Sequence, residues 1–596
     1  MKLKYSALAA ACTLTLTAGC TTETHTEKQT AVKATAVSCQ SAKAAPHSEM
    51  SISGLTLVGT HTARAEFDSS AAEIVNYDAC TDQLFVVNAQ AARVDVLRLD
   101  ENSKPSSNSY IDLTLAGQQA GINIGAANSV STYEGYVAVA IENANKQRDG
   151  IIAVYRADDL SLVATYPAGA LPDMVSFSKD GRYIASANEG EPNDRYSDDP
   201  EGSVTLIDVQ AGFGNAIVHQ IDFRAFNRGE HRHSSLGKNV RISAPNATVA
   251  QDLEPEYLAF ADNGKLYVAM QENNAIATID VNSATVDTIW GLGSKSWGEY
   301  SLDASNKDKL IGNFQRYQGL EGLFMPDSIA TYTVNGETFI VTANEGDGRE
   351  YGFDTTQFNC DEAGYKWDGD DFAGTDAYQT EQDLCIVYLD EVRGAKLNVD
   401  PAHPLAEALA DKKQLGRLKV IKPEGMLSAD EPVQAFGARS FSIFNADGQL
   451  VFDSGSQFAH IVFAADRLHL NSTNDSNSSA DDRSDDKGVE PEAITVANIN
   501  DRYYAFIGLE RQGGIMAYDV TDPQHAHFVT YLNNRHFEYN VCSEVNEDGE
   551  CESGTYNPAA GDLGPESIVH FERTGQHFLA VGNEVSGTTS VFRIDF

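Results

Sequence analysis

The chain has 596 residues and carries 43 Lys plus Arg against 86 Asp plus Glu, a formal net charge of −43 at pH 7. A surface this anionic repels phosphate backbones and anionic headgroups, which argues against nucleic acid as a partner and leaves a lipid anchor as the expected link to a membrane. The same charge attracts multivalent cations, or serves only solubility in salty surroundings.

Residues 1–20 have the pattern of an export signal. Lys2 and Lys4 precede an apolar run from about Ala7 to Thr17, too short to span a bilayer. The run ends in Leu16-Thr17-Ala18-Gly19-Cys20, which resembles a lipobox with Cys20 as the lipidated residue, although Thr17 stands where the pattern usually has Leu. Thr21, rather than Asp, follows Cys20 and by the same resemblance points to the outer membrane, facing periplasm or exterior. Residues 21–50, rich in Thr, Ala, Lys and Ser, are expected to form a flexible tether, and residues 51–596 one folded domain. With Cys12 and Cys20 set aside, six cysteines remain, an even number that suits disulfides in an oxidising compartment. Fifteen pairings exist; proximity favours Cys39 with Cys80, Cys360 with Cys385, and Cys542 with Cys551.

From Ser51 onward, short runs of Val, Ile, Phe and Tyr are cut by Gly, Asn and Asp, the pattern of strands and turns. A unit recurs. It opens with Pro-acidic pairs at Pro172-Asp173, Pro255-Glu256, Pro326-Asp327, Pro491-Glu492 and Pro565-Glu566. A second strand follows, as in YIASANE (183–189) and FIVTANE (339–345), and then a third, as in SVTLIDV (203–209) and GIMAYDV (514–520). Looser copies open at Ala72-Glu73, Ala127-Asn128 and Ala438-Arg439, so eight starts lie near residues 71, 127, 172, 255, 326, 436, 491 and 564. Fourth strands are visible at 162–168, 286–292 and 528–534. The expected fold is therefore all-β: a β-propeller of about eight, alternatively seven, four-stranded blades with long loop insertions. The strand at Ile52 to Val58 is expected to close the ring. The insertion 465–488, with NSTNDSNSSADDRSDDK, is expected to be a mobile loop, and the clearest helical pattern is Leu405 to Leu415.

Aligning the units places Glu73, Asn128, Asp173, Glu256, Asp327, Arg439, Glu492 and Glu566 at one position, and Ala91, Glu142, Glu189, Asn273, Glu345, Ser456, Glu510 and Glu584 at another. First strands line a propeller's channel, so the first set is expected to ring one mouth. Converging carboxylates raise each other's pKa unless a cation or donor intervenes. Oxygen donors without thiols favour hard ions, calcium first and other divalent metals after it. The candidate metal ligands are Glu73, Asp173, Glu256, Asp327, Glu492 and Glu566, with Glu189, Glu345, Glu510 and Glu584. The bland alternative is that these carboxylates latch neighbouring blades through backbone N–H groups. No nucleophile elbow, zinc-protease motif or Walker loop is present. Asp327-Ser328 imitates a phosphatase nucleophile, but the repeat accounts for it. Arg439 and Asp327 are the candidates if the site is catalytic, Arg439 binding phosphoryl oxygens.

GTHTARAEFDSSAAEIVNYD (59–78), NEGEP (188–192), PDSIATYTVNGETFIVTANEGDGREY (326–351), GARSFSIF (437–444), AFIGLERQGGIMAYDVTDP (505–523) and GNEVSGTTSVF (582–592) resemble the choice-of-anchor I family. The resemblance implies a secreted or surface-anchored protein, similar to mesenchyme-specific cell-surface glycoproteins, with some members labelled alkaline phosphatase. The expected function is a cell-surface lipoprotein that binds divalent cations and an extracellular ligand. The alternatives are a metal-dependent phosphoesterase and a protein-interaction scaffold.

Overall fold

In the second strands both faces are apolar, as in Val137–Ile141 or Ala505–Ile507, so each such strand must be covered on both sides. Packing sheets face to face around an axis meets that demand, and the sheet order shows how. The computed structural model describes residues 48, 50–244, 246–368, 384–546 and 549–596. Among them are seven four-stranded antiparallel sheets. Blade one is Val75–Asp78, Gln83–Asn88, Arg93–Leu99 and Pro105–Asp112; blades two to four begin with Ile124–Tyr133, Pro172–Phe177 and Tyr257–Phe260. Blade five begins with Ile329–Val334, blade six with Pro491–Ile499, and blade seven with Pro565–Arg573.

These sheets close into a β-propeller. The first strand of each blade lies against that of the next, and the first strand of blade seven lies against that of blade one. A separate apolar cluster fills each of the seven seams. Val341, Phe441 and Ile443 of blade five, for example, meet Ile494, Ala505 and Ile507 of blade six. Each such fully buried side chain contributes roughly 1.5–3 kcal/mol. The ring is shut as expected by the N-terminal strand: Gly54–Thr62 pairs antiparallel with Thr588–Asp595 as the outer strand of blade seven.

Of the two expected blade counts, seven is realised. The eighth start, at Ala438-Arg439, opens no blade. Ser440–Asn445 pairs with Glu337–Asn344 and is the third strand of blade five, and Leu450–Asp453 is its fourth. About ninety residues inserted between the second and third strands of that blade hide their kinship in the sequence. The insertion leaves and returns at almost one point: a Cβ on Gly346 would stand 2.1 Å from Gly437 N, and Gly346 has φ +87°. Inside it, Glu350–Asp354, Lys366–Asp368 and Leu384–Leu389 make a small sheet stapled by the Cys360–Cys385 disulfide. Cys542–Cys551 is the second expected disulfide. Cys80 is disulfide-bonded too, and its expected partner Cys39 lies outside the described residues, as does Cys20.

Two local expectations are corrected. The helix within Leu405 to Leu415 shrinks to Ala406–Ala410, while Gln457–Ala465 is the longest helix described. The acidic insertion 465–488 is an ordered polar core in which Asn471, Ser472, Asn474, Ser484, Asp485 and Lys487 are buried. Its low-complexity composition indicated mobility, but basic residues from elsewhere hold it. Arg417 Nε meets Asp485 Oδ2 at 2.6 Å, and Arg535 Nη2 donates to the carbonyls of Thr473 and Ser476 at 2.6 and 2.8 Å. No described helix is long and apolar enough to cross a membrane.

Candidate acidic channel mouth

In an antiparallel pair the start of the first strand lies beside the end of the second, so both predicted rows of carboxylates come to the same channel end. The backbone ties them together. The N–H groups of Glu189, Glu510 and Glu584 donate to the carbonyls of Leu171, Glu490 and Gly564, the residues just before the opening prolines, at 2.9, 2.8 and 2.8 Å. Leu171, Met325 and Glu490 adopt positive φ there, a conformation non-glycine residues rarely hold. The ladder then skips a residue. Register shifts fall between Pro172 and Met174, between Pro491 and Ile494, and between Pro565 and Ser567, so Asp173, Glu492 and Glu566 sit on bulges, which re-aim a side chain out of the ladder.

The first row is thus seven residues, one from each blade: Glu73, Asn128, Asp173, Glu256, Asp327, Glu492 and Glu566. Strand register sharpens the second row to Ala89, Glu142, Glu189, Gln271, Glu345, Glu510 and Glu584. Gln271 replaces the expected Asn273, Ala89 replaces Ala91, and Ser456 drops out with the eighth start. Arg439 is corrected as well. It is 7% exposed, and its guanidinium donates to the carbonyls of Asp303, Ser484 and Asp486 at 2.8, 3.0 and 2.6 Å, away from the carboxylate row. Ser328 is also occupied: its buried hydroxyl donates to the Glu492 carbonyl. The guanidinium that the phosphoester alternative placed on phosphoryl oxygens is thus spent on backbone carbonyls.

Burial and crowding dominate the electrostatics. Desolvation, then neighbouring carboxylates, push Glu73, Glu256, Asp327, Glu492 and Glu566 well above the usual carboxylate range. Glu189 moves the same way. Burial raises Asp173 to about 7 against the pull of Lys146, and Glu345 to about 7 against that of Lys487. Glu584 rises to about 8 through burial and the charges of Glu510 and Asp68.

Among the described residues, two trios have carboxylate oxygens within 4.8 Å of one another: Glu345 with Glu490 and Glu510, and Asp327 with Glu345 and Glu492. The first is filled by the protein's own cations. Lys487 Nζ is 2.8 Å from Glu345 Oε1 and 3.6 Å from Glu490 Oε2, Arg483 Nε is 2.7 Å from Glu490 Oε1, and Arg511 Nε is 3.0 Å from Glu510 Oε2. The second has no such cation on Asp327 or Glu492, and Glu492 Oε2 is buried without a hydrogen-bond partner. Glu345, shared by the two trios, carries Lys487 on Oε1 and accepts the neutral donor Gln271 Nε2 on Oε2 at 2.8 Å. Oxygen-only donors at this spacing fit a hard divalent ion. Glu490, Lys487, Arg483 and Arg511 were absent from the predicted site. Glu490 directly precedes Pro491 and Arg511 directly follows Glu510, so adjacency to the two rows was the available signal. Lys487 and Arg483 carried none, because the insertion folds back onto the mouth.

The choice-of-anchor I domain model matches residues 73–523. The chain is 27% identical over 336 residues to a mesenchyme-specific cell surface glycoprotein of Strongylocentrotus purpuratus, a stretch covering 51% of this chain and 40% of that protein. It is 26% identical over 202 residues to Gigasin-3a of Magallana gigas, covering 30% of this chain and 64% of that protein. The chain thus spans less than two thirds of either relative. Among solved structures, Kuenenia stuttgartiensis hydrazine synthase aligns with a TM-score of 0.40 and 9% identity over 89% of this chain and 97% of that one. The Cps50 (Swd1) β-propeller domain of Myceliophteria thermophila aligns with a TM-score of 0.35 and 9% identity, over 91% and 100% of the two chains.

Proposed function

This chain belongs to the choice-of-anchor I family, and from that premise we propose that it is a surface-anchored propeller holding a divalent cation, calcium before other metals, at the acidic mouth of its channel. The carrying observation is the trio Asp327, Glu345 and Glu492, whose oxygens lie within 4.8 Å while Glu492 Oε2 is buried without a partner. Uncompensated buried carboxylates are costly, and a bound ion offsets that cost. Glu73, Asp173, Glu256 and Glu566 of the first row, with Glu189, Glu510 and Glu584 of the second, surround that position with further carboxyl oxygens. The mouth then meets an extracellular ligand with a cation partly neutralised by the protein, as a surface-binding module would. The likeness to a cell surface glycoprotein supports an extracellular role, as do the disulfides. The anchor in this reading is a lipid on Cys20, with residues 21–50 as the tether before the propeller.

Diffraction from crystals soaked in manganese tests the placement. An anomalous peak among Asp327, Glu345 and Glu492 is expected; a fully occupied peak elsewhere with none at this trio contradicts it.

A further inference from the structure

A second recessed site lies between the insertion that follows Glu189 and the disulfide-stapled sheet of blade five. It is a cavity of about 450 Å³ lined by Arg195, Tyr196, Asp199, Tyr365 and Tyr388 among others, within the size range of small-ligand sites. The aromatic wall is built, not incidental. Tyr196 packs edge-on against Tyr351 at 5.1 Å and Tyr388 at 5.9 Å between ring centroids, and Tyr365 packs edge-on against Phe353 at 6.0 Å. Arg195 lays its guanidinium 3.4 Å above the Phe353 ring, which fixes its plane and leaves its N–H edge free.

Two polar groups are uncommitted. In a chain with 86 acidic residues to 43 Lys plus Arg, no carboxylate among the described residues pairs with the exposed Arg195, whereas its near neighbour Arg148 pairs with Asp198 at 3.0 Å. Asp199 Oδ1 is buried and accepts no hydrogen bond. A planar guanidinium matches a carboxylate, a carboxyl group in the wall accepts hydroxyl donors, and tyrosine rings cover the C–H face of a sugar ring. We propose that this cavity is a binding site for a short acidic saccharide, with its carboxylate on Arg195, its hydroxyls on Asp199 and a sugar ring against Tyr196 and Tyr365. The chain's overall negative charge does not forbid this, because at physiological ionic strength charges beyond about 8 Å are screened.

The test is calorimetric titration of the full-length protein, in chelator, with trigalacturonate and with its neutral counterpart galactotriose. Chelator removes any dependence on a cation at the channel mouth. Binding of trigalacturonate at least tenfold tighter than galactotriose is expected, with a loss of about tenfold in each of the surface variants Arg195→Ala and Tyr365→Ala. Circular dichroism confirms that both variants are folded. No binding, equal affinity for the two trisaccharides, or affinity unchanged in both variants would overturn the proposal.

Discussion

The Lys487 ammonium stands 2.8 Å from Glu345 Oε1 and 3.1 Å from Asp347 Oδ1, so a lysine from the acidic insertion occupies one of the two carboxylate trios at the channel mouth. Burial alone would lower its pKa, but Asp347, Glu345 and Glu490 together raise it well above the usual lysine value. Replacing it with methionine leaves buried carboxylates without their cation. Lys487→Met is expected to destabilise the fold by about 3 kcal/mol, read as a fall in the denaturant midpoint at an unchanged slope. A change within ~0.5 kcal/mol would show that this ion pair does not matter.

The mouth should also make stability depend on pH in an unusual direction. Asp173 and Glu345 titrate near about 7 and Glu584 near about 8 when folded, mainly through burial, each above its ordinary carboxylate value. The folded state therefore keeps protons that the unfolded state has lost. Their contribution is fully present below the unfolded pKa values, about 4, and is lost as pH rises through 7 and then 8. Metal-stripped protein should have a falling melting temperature from pH 5 to 8, and added calcium should restore it most at the upper end. A metal-free melting temperature that rises over that window contradicts the assignment.

Arg439 gives a prediction of the opposite kind. Its three carbonyl partners, on Asp303, Ser484 and Asp486, tie the start of the third strand of blade five to two other segments, so Arg439→Met should cost about 2–4 kcal/mol of stability. Calcium stoichiometry should stay that of the parent. Loss of calcium binding in a folded Arg439→Met protein would return this residue to the site.

The proposed anchor predicts behaviour in cells. With Cys20 lipidated, the protein should partition into the detergent phase of Triton X-114, and Cys20→Ala should move it to the aqueous phase. Equal partition of the two forms would rule out a lipid on this residue.

Much of this architecture was legible because a propeller repeats its local rules. Alternation, five Pro-acidic starts and the looser copies at Ala72-Glu73 and Ala127-Asn128 located all seven first strands, and Ile52 to Val58 was recognised as the closing strand. The start at Ala438-Arg439 opens no blade, and the alternative of seven is realised, because a third strand looks like a first strand when an insertion removes its neighbours. The carboxylate rows were legible as a repeat, whereas the bulges that turn Asp173, Glu492 and Glu566 out of their ladders depend on pairing and leave no mark on composition. Least legible was 465–488. Its Asp, Ser and Asn content resembles a solvated loop, yet Arg393, Arg417, Lys419 and Arg535, none within it, hold it as a buried network.

The most direct test is calcium calorimetry on metal-stripped protein at pH 7.5, beside D327N/E492Q. The account predicts a calcium-binding isotherm in the parent, at least tenfold weaker in the double variant, which remains folded because each amide is a neutral, near-isosteric substitute for a carboxyl whose charged form burial already disfavours. An absence of calcium binding in the parent, or equal binding in both proteins, would contradict a cation site at the channel mouth.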